Sequence, residues 1–362
     1  MENQYQKILD DISHQAPHLH TLLEARPASL EILQADMRDH QYEVLYYLIE
    51  PSQIIVWHLS SDQVLVRSIF LYERLLNEKI EQLQKSLKGP NPPPFDENMA
   101  RQLFLFLIQP VLSHIKAKHL VIIPHKSLYF LPFQVLLSPQ NQYLGELYTL
   151  SYAPSATLLL ELNQLNNLKG ANVLAVLDPR FKGKGDDVTA IYPLFAPKTS
   201  QVVLDKPDFD KSQLLKMLNA RSYQVVHLSL HGQFNNDDPM LSSLILPNRV
   251  PLTAAEMFAL PLKQTQLVTL SACEVGQVGL TRGHDILGMQ RALLYAGTQA
   301  MILPMWQIDA EATVTWMKQF YQAAQTVSLP EAAQRASLVL KASKEKDWSH
   351  PFYWGGFQLI GK

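Results

Sequence analysis

The chain has 362 residues, of which 47% are hydrophobic and 18% are charged, and its formal net charge is −2. These values are typical of a soluble globular protein that can bury a core, and they exclude a largely disordered chain. No block of like charge and no apolar run near the roughly 18 residues of a membrane span is present, so neither nucleic acid nor a membrane is an expected partner. The polar start and the single cysteine favour a cytoplasmic protein.

The amino-terminal part is predicted to hold helices and a small antiparallel sheet. Apolar residues at helix spacing indicate a helical lead-in within residues 1–38, and three β-rich runs then indicate a meander at a sheet edge. The predicted strands are 42–49, 54–59, 64–70 and 120–123, and the predicted helices are 72–87, 97–117 and a leucine-rich one around 158–168.

From Gly170 onward, predicted strands alternate with predicted helices. The strands are 172–177, 201–204, 223–230, the run that leads to Cys273, 299–303 and a closing strand near 352–360, and the helices are 209–220, 254–260, 285–296, 310–324 and 329–342. This alternation is typical of an α/β protein with a mostly parallel sheet that helices cover on both faces.

Two of these strands end in side chains that can do chemistry together. The apolar run before Cys273 delivers the only cysteine of the chain, and the run Tyr223–Leu230 ends in His231 and Gly232. The functional crevice of an open α/β sheet lies beyond the carboxyl ends of its strands. A thiol attacks as the thiolate, and an imidazole can take its proton. Cys273 is therefore the candidate nucleophile and His231 the candidate general acid and base, with the N–H groups of Gly232 and Cys273 as an oxyanion hole.

Each of these residues also has an ordinary structural explanation. A free cysteine in an apolar strand is usually a small core residue. His227 lies within its strand and is predicted to be packed; it is no metal partner for His231, since residues four apart in a strand are about 13 Å apart. The loop 183–185 matches no phosphate-binding motif, and Asp237 and Asp238 fit a turn as well as a substrate contact. With neither an HExxH helix nor a cysteine cluster, no metal site is predicted.

Several segments occur in the order seen in one known family. They are HLSLHG (227–232), LSACEVG (270–276), RALLYAG (291–297), MWQIDAEAT (305–313) and HPFYWGGFQLIG (350–361), and upstream LVIIPHKSLYFLPFQVLL (120–137) and SYAPSATLL (151–159). Over roughly residues 27–361 the chain resembles the CHAT family, caspase-like cysteine peptidases often joined to tetratricopeptide repeats.

The resemblance implies a caspase-like three-layer α/β sandwich with a mostly parallel sheet and an amino-terminal degenerate caspase-like subdomain. The expected boundaries are a helical lead-in at 1–26, the amino-terminal half of the CHAT domain at 27–169 and the catalytic half at 170–362. It also implies a catalytic dyad of His231 and Cys273, and no cofactor.

The resemblance further implies that Leu303 to Asp309 line the pocket that sets specificity. Met305, Trp306, Gln307 and Asp309 are therefore the expected substrate contacts. The chain departs from the family pattern at His284, where an acid is common, at Ala310, which replaces the second of two acids, and at Pro304. Asp309 would favour a basic residue before the scissile bond, whereas Met305 and Trp306 would favour an apolar one, and both alternatives stay open.

The function implied is that of a cysteine endopeptidase, a hydrolase that cleaves a partner protein at limited sites. Family members act as effectors downstream of a sensor, including in prokaryotic defence such as antiviral defence and in cell death, so a sensor or tetratricopeptide-repeat activator is an expected partner. The main alternative is a catalytically silent caspase-like scaffold or protein-binding module. A third is a thiol enzyme that transfers acyl or amide groups on a small molecule.

Overall fold

The computed structural model describes residues 27–89, 91–164, 167–181, 186–233, 235, 238–271 and 285–362. The lead-in 1–26, the loop 183–185, Asp237, Cys273 and His284 lie outside these residues. Within the described ranges, none of the helices has the length and apolar character needed to cross a membrane.

The amino-terminal meander is present as predicted. Strands β1 (Tyr42–Ile49), β2 (Gln53–Leu59) and β3 (Val64–Phe70) pair antiparallel, and β3 lies at the edge of an 11-stranded sheet. Helix α1 (Leu30–His40) covers part of one face, where its buried Leu33 and Met37 pack. The β-branched and aromatic residues of these runs suit a pleated, half-buried surface.

The other elements follow largely in the predicted order. The remaining strands are β4 (His119–Ile123), β5 (Thr149–Tyr152), β6 (Val173–Leu177), β7 (Gln201–Val203), β8 (Val225–Ser229), β9 (His231–Gln233), β10 (Ser243–Ile245), β11 (Pro251–Thr253), β12 (Leu267–Leu270), β13 (Ala300–Pro304) and β14 (Phe357–Ile360). The remaining helices are α2 (Glu73–Lys85), α3 (Glu97–Leu107), α4 (Leu144–Leu147), α5 (Ala156–Glu161), α6 (Asp187–Ile191), α7 (Lys211–Ala220), α8 (Ala254–Met257), α9 (Asp285–Ala296), α10 (Ala310–Ala323), α11 (Leu329–Lys341) and α12 (Pro351–Trp354).

The large sheet is mostly parallel, in the order β3-β2-β1-β4-β5-β14-β13-β12-β8-β6-β7. Strands β1, β4, β5 and β14 are neighbours that run parallel to one another. Strands β13, β12, β8, β6 and β7 form a second parallel set. The two sets meet where β14 pairs antiparallel with β13. The carboxyl ends of the two sets therefore lie at opposite edges of the sheet. Strands β9, β10 and β11 form a second, small antiparallel sheet.

Three predicted elements differ most from those observed. The helix predicted over 97–117 ends at Leu107, because Pro110 has no backbone N–H and disfavours helical geometry in the residue before it. The leucine-rich helix around 158–168 ends at Glu161, after which Leu162 is extended (φ −82°, ψ 138°). The closing strand near 352–360 is the short helix α12 followed by β14.

Candidate active site

Four parallel strands end side by side at one edge of the sheet. Leu270 of β12 pairs with Leu228 of β8, β13 flanks β12, and β6 flanks β8 with Leu177 opposite Ser229. All residues of these four strands are buried. The segments that follow them therefore begin within a few strand widths of one another, which is the edge at which α/β sheets place their chemistry.

His231 follows this edge directly. A single residue, Leu230, separates β8 from β9, and β9 turns away to pair with β10, with Ile245 opposite His231 and Leu244 opposite Gly232. Gly232 is buried, whereas His231 is partly exposed. The small sheet thus holds the backbone of His231 while its imidazole stays accessible.

Cys273 lies outside the described residues, but the strand that leads to it is well placed. Ser271 is buried, and its backbone N–H donates to the carbonyl of Leu228 at 2.9 Å. In the sequence, His231 comes three residues after Leu228 and Cys273 three residues after Leu270, and these two leucines are direct partners. The structure therefore brings together the strands that carry the two predicted reactive residues.

A third group at this edge, Asp178, was missed in the sequence. It directly follows β6, is 1% exposed and donates its backbone N–H to the carbonyl of Ser229 at 2.9 Å. Arg180 Nε donates to Asp178 Oδ1 at 2.9 Å and to Oδ2 at 3.1 Å. An acid immediately after the apolar run NVLAVL was the available signal, by the same strand-end reasoning that selected His231.

The charge of Asp178 is held by its neighbours. Burial raises the pKa of its carboxyl, but hydrogen bonds from Arg180, the guanidinium charge and the nearby His231 imidazole together bring that pKa below its ordinary value. Asp178 is therefore ionised at neutral pH, next to the imidazole that the sequence predicts to be catalytic.

His227 is buried with 0% exposure, which confirms the prediction that it is a packed histidine. Its Nε2 lies 3.2 Å from Asp187 Oδ2, and its Nδ1 lies 3.2 Å from the hydroxyl of Tyr321. That hydroxyl is 2.6 Å from Thr269 Oγ1. We call these four residues the inner polar network; it links β8 and β12 beneath the site.

Asp187 is the carboxylate of the inner polar network. Burial raises the pKa of its carboxyl, but the charge and hydrogen bond of His227 outweigh this, so the pKa lies below its ordinary value. The hydroxyls of Ser271 and Ser229 also lower that pKa. Neither completes a hydrogen bond of normal geometry to Oδ1, which has no such partner among the residues described.

The predicted substrate contacts follow β13 at the same edge. Met305 and Trp306 are buried, with the N–H of Met305 donating to Gly356 O at 2.7 Å and Trp306 Nε1 donating to Phe352 O at 3.0 Å. Gln307 and Asp309 are exposed. All four follow β13 at this edge, and their contact with a substrate stays a prediction.

Two of the acids have local structural roles. Asp309 caps α10 by accepting from the N–H of Ala312 at 3.0 Å, and Asp238 accepts from the N–H of Met240 at 3.0 Å. The turn explanation thus accounts for Asp238. Across the described ranges, no three His, Cys, Asp or Glu side chains are grouped so as to hold a metal ion.

Solved structures place the architecture in a known class. The *Saccharomyces cerevisiae* separase–securin complex is similar over 91% of this chain and 31% of that chain, with a TM-score of 0.54 at 11% identity. The Arg-specific cysteine proteinase gingipain R is similar over 80% of this chain and 74% of that chain, with a TM-score of 0.47 at 10% identity. The mostly parallel sheet and the separase likeness define a caspase-like α/β fold, which confirms the predicted fold class.

The family can also be stated. Residues 97–362 match the CHAT domain, and the chain belongs to that family, as its motifs suggested. Tetratricopeptide repeat protein 28 of *Homo sapiens* is 28% identical over 130 residues, and that of *Mus musculus* is 29% identical over 126 residues. These matches cover 36% and 35% of this chain but 5% of each relative, so the chain spans a small part of their length.

Proposed function

We propose that the chain is a cysteine endopeptidase that cleaves a partner protein at limited sites through Cys273 and His231. The observation that carries the proposal is the parallel pairing of β8 with β12, in which Leu228 lies opposite Leu270. Each reactive residue follows its leucine by three positions in the sequence, so the chain segments that lead to the two residues leave β8 and β12 from paired positions at one sheet edge. A CHAT domain with a caspase-like peptidase fold supports the same function.

The proposed reaction proceeds by acyl transfer. The Cys273 thiolate attacks the carbonyl carbon of the scissile bond, and the N–H groups of Gly232 and Cys273 stabilise the negative oxygen. His231, which holds the proton taken from the thiol, gives it to the leaving amine as the C–N bond breaks and a thioester forms. His231 then removes a proton from a water molecule that hydrolyses the thioester and returns it to the thiol.

We place this activity in a regulated, cytoplasmic effector of prokaryotic defence or cell-death signalling, with a sensor or tetratricopeptide-repeat protein as activator. The likeness to tetratricopeptide repeat protein 28 supports a link with such repeats. Met305, Trp306, Gln307 and Asp309 are the proposed substrate contacts. Among them the exposed Gln307 and Asp309 are accessible to a peptide, and the buried pair fixes the segment from behind.

An activity probe for caspase-type peptidases tests the proposal directly. The wild type should be labelled, whereas Cys273→Ala should not, and His231→Ala should be labelled at least about tenfold more slowly, since it lacks the base. Since Cys273 is the only cysteine, no other thiol of the chain can take the label. Equal labelling of wild type and Cys273→Ala would sink the assignment.

Mass-spectrometric mapping of new amino termini, after expression of wild type or Cys273→Ala, would identify the protein substrate and the residue before the cleaved bond. Cleavage of a partner that persists when both His231 and Cys273 are replaced would instead favour the scaffold. Turnover of small amides without any cleavage of peptides would favour the acyl-transfer enzyme.

A further inference from the structure

We propose that the turn from Asp178 to Phe181, which we call the β6 turn, is a positioning element for the imidazole of His231. In this assignment Phe181 fixes the plane of the ring, Asp178 supplies a negative charge that stabilises its protonated form, and Arg180 limits that charge. The inference deepens the proposed peptidase function and rests on it.

The β6 turn is anchored to the strand that carries His231. The N–H of Asp178 donates to Ser229 O at 2.9 Å, and Ser229 lies two residues before His231. The N–H of Phe181 donates to Asp178 O at 2.9 Å and closes the turn. The turn and the histidine are therefore fixed to the same short piece of backbone, so their relative position is set by two hydrogen bonds.

Phe181 covers one face of the imidazole. The centroids of the two rings are 4.2 Å apart and their planes are inclined by 39°. A contact this close excludes water from that face of the ring and blocks rotation toward the turn. Proton transfer then takes place at the edge of the imidazole, which carries both ring nitrogens.

The charges of the β6 turn are arranged asymmetrically. The Asp178 carboxylate is buried, whereas the side chain of Arg180 is 45% exposed, and the two are joined by a fork of hydrogen bonds. A buried anion acts on a neighbouring imidazole through a lower dielectric than an exposed cation does. The net effect of the pair on His231 is therefore attractive for a proton, and the Arg180 charge reduces it.

Other charged groups near this edge differ in kind. The buried Asp187 and His227 form a pair of their own, Asp238 is exposed beyond β9, and Asp205 is exposed beyond β7. From Leu267 to Ser271, β12 and its end carry no charged residue. Replacing Asp178 or Arg180 therefore changes the charge next to His231 and leaves these other charged groups as they are.

The test is a titration of His231 by NMR, with ¹³C-labelled histidine in a Cys273→Ala background that prevents self-cleavage. The His231 signal is the one missing from a His231→Ala variant. We expect Asp178→Asn to lower the imidazole midpoint and Arg180→Gln to raise it, each by about half a pH unit or more, because nearby charges shift a pKa in opposite directions according to sign. The matched control Asp205→Asn, at an exposed strand-end acid with a φ of 51° that Asn tolerates, should leave the midpoint unchanged.

Unchanged midpoints in both variants, or shifts of the same sign, would overturn the inference. Loss of packing alone cannot produce two opposite shifts. If Asp178→Asn does not fold, Arg180→Gln alone decides the test. Arg180 is half exposed, so its replacement should not unfold the protein, and the midpoint of the His231 imidazole must still rise in this variant.

The role of Phe181 is tested by alkylation of Cys273 with iodoacetamide at pH 6 in the otherwise wild-type protein. Phe181→Ala should slow the reaction several-fold, whereas Phe181→Tyr should preserve it, because alkylation follows the thiolate that a correctly placed imidazole stabilises. If His231→Ala does not slow alkylation, the proposed dyad itself is wrong. If His231→Ala slows it and Phe181→Ala does not, only the positioning role is wrong.

Discussion

The inner polar network shows how single residues can tie two strands together. His227 lies on β8 and Thr269 on β12, at positions that are direct partners in the sheet. Asp187 and Tyr321 reach them from α6 and α10. The strands that lead to His231 and Cys273 are therefore joined by side chains as well as by their backbone hydrogen bonds.

Replacing Asp187 with Asn should reduce the free energy of unfolding by about 2–4 kcal/mol, because a buried imidazole loses its charged partner. Urea unfolding measures the change. The adjacent Asp186→Asn is a matched control, since Asp186 caps α6 through Thr189 N at 2.8 Å and Asn caps as well as Asp. Equal stability of the Asp187→Asn variant and the wild type would show that the network does not stabilise the fold.

His119 should make stability depend on pH. Part of the residue reaches solvent, but its imidazole is enclosed, with Nε2 2.8 Å from Ser151 Oγ, and burial lowers the pKa of the ring from 6.5 to about 4. Between these values the unfolded chain binds a proton that the folded chain does not, so stability is full above pH 6.5 and falls as the pH drops toward 4.

The expected loss from this residue is up to about 2 kcal/mol between pH 7 and pH 4.5. Urea unfolding at both pH values, in the wild type and in His119→Gln, isolates its share, because His125 and His350 have lowered pKa values in both proteins. The same pH dependence in both proteins would contradict the prediction.

At the scale of elements, strand positions could be read closely from the sequence. The runs at 42–49 and 64–70 match β1 and β3 residue for residue, because both are rich in β-branched and aromatic residues, which favour strands. The strand predicted over 223–230 ends at Ser229, one residue before the predicted end, and His231 begins β9. These features depend on neighbours in the chain.

Features that depend on distant parts of the chain could not be read. Leu162 and Leu168 continue the spacing of a helix, yet both are buried outside a helix; Leu162 is extended, and the next residue, Asn163, donates its N–H to Gln299 Oε1 at 2.9 Å. The β6 turn became visible as part of the site once β6 was known to lie beside β8. Strand order is a tertiary property, and no local pattern encodes it.

The segment that follows β13 packs against Gly356 so tightly that a methyl group at Gly356 would overlap it. A Cβ at Gly356 would lie 2.6 Å from Ile308 Cδ1 and 2.8 Å from Trp306 Cε2. Gly356→Ala should therefore lower the free energy of unfolding by about 1–3 kcal/mol and shift the fluorescence emission maximum of Trp306.

A double-mutant cycle provides the control for this substitution. Ile308→Val removes the Cδ1 atom, so it should recover part of the loss in combination with Gly356→Ala, although it is itself mildly destabilising. Strict additivity of the two substitutions would mean that the overlap with Ile308 is not the cause.

At the scale of the whole molecule, one sheet joins the amino-terminal half, up to residue 169, to the carboxy-terminal half, from residue 170. Strand β14 pairs with β5 of the amino-terminal half and with β13 of the carboxy-terminal half. Gln134 Nε2 donates to Gly355 O at 2.5 Å and to Phe357 O at 3.3 Å, and its Oε1 accepts from the hydroxyl of Tyr152 at 2.8 Å. A substitution at this junction should therefore destabilise strands in both halves.

Gln134→Leu should increase hydrogen exchange in both β4 and β13, because it leaves buried carbonyls of the junction without a donor. Gln84→Leu is the matched control: Gln84 Nε2 donates to Phe130 O at 2.8 Å, a contact made wholly within the amino-terminal half, so exchange in β13 should not change. An effect of Gln134→Leu confined to one half would show that the halves open independently.

The place of β14 in the sheet also governs the order of events during synthesis. Its neighbours β5 and β13 are both translated earlier, and among the described strands it is β14 that pairs with the remaining edge of each. Until residue 360 has left the ribosome, the nascent chain therefore carries two open strand edges in the middle of its future sheet, the kind of surface that pairs with other chains. For the same reason the row of strand ends beside β13 cannot reach its final rigidity before β14 is in place, so any activity that depends on this edge of the sheet would begin only after β14 has been translated.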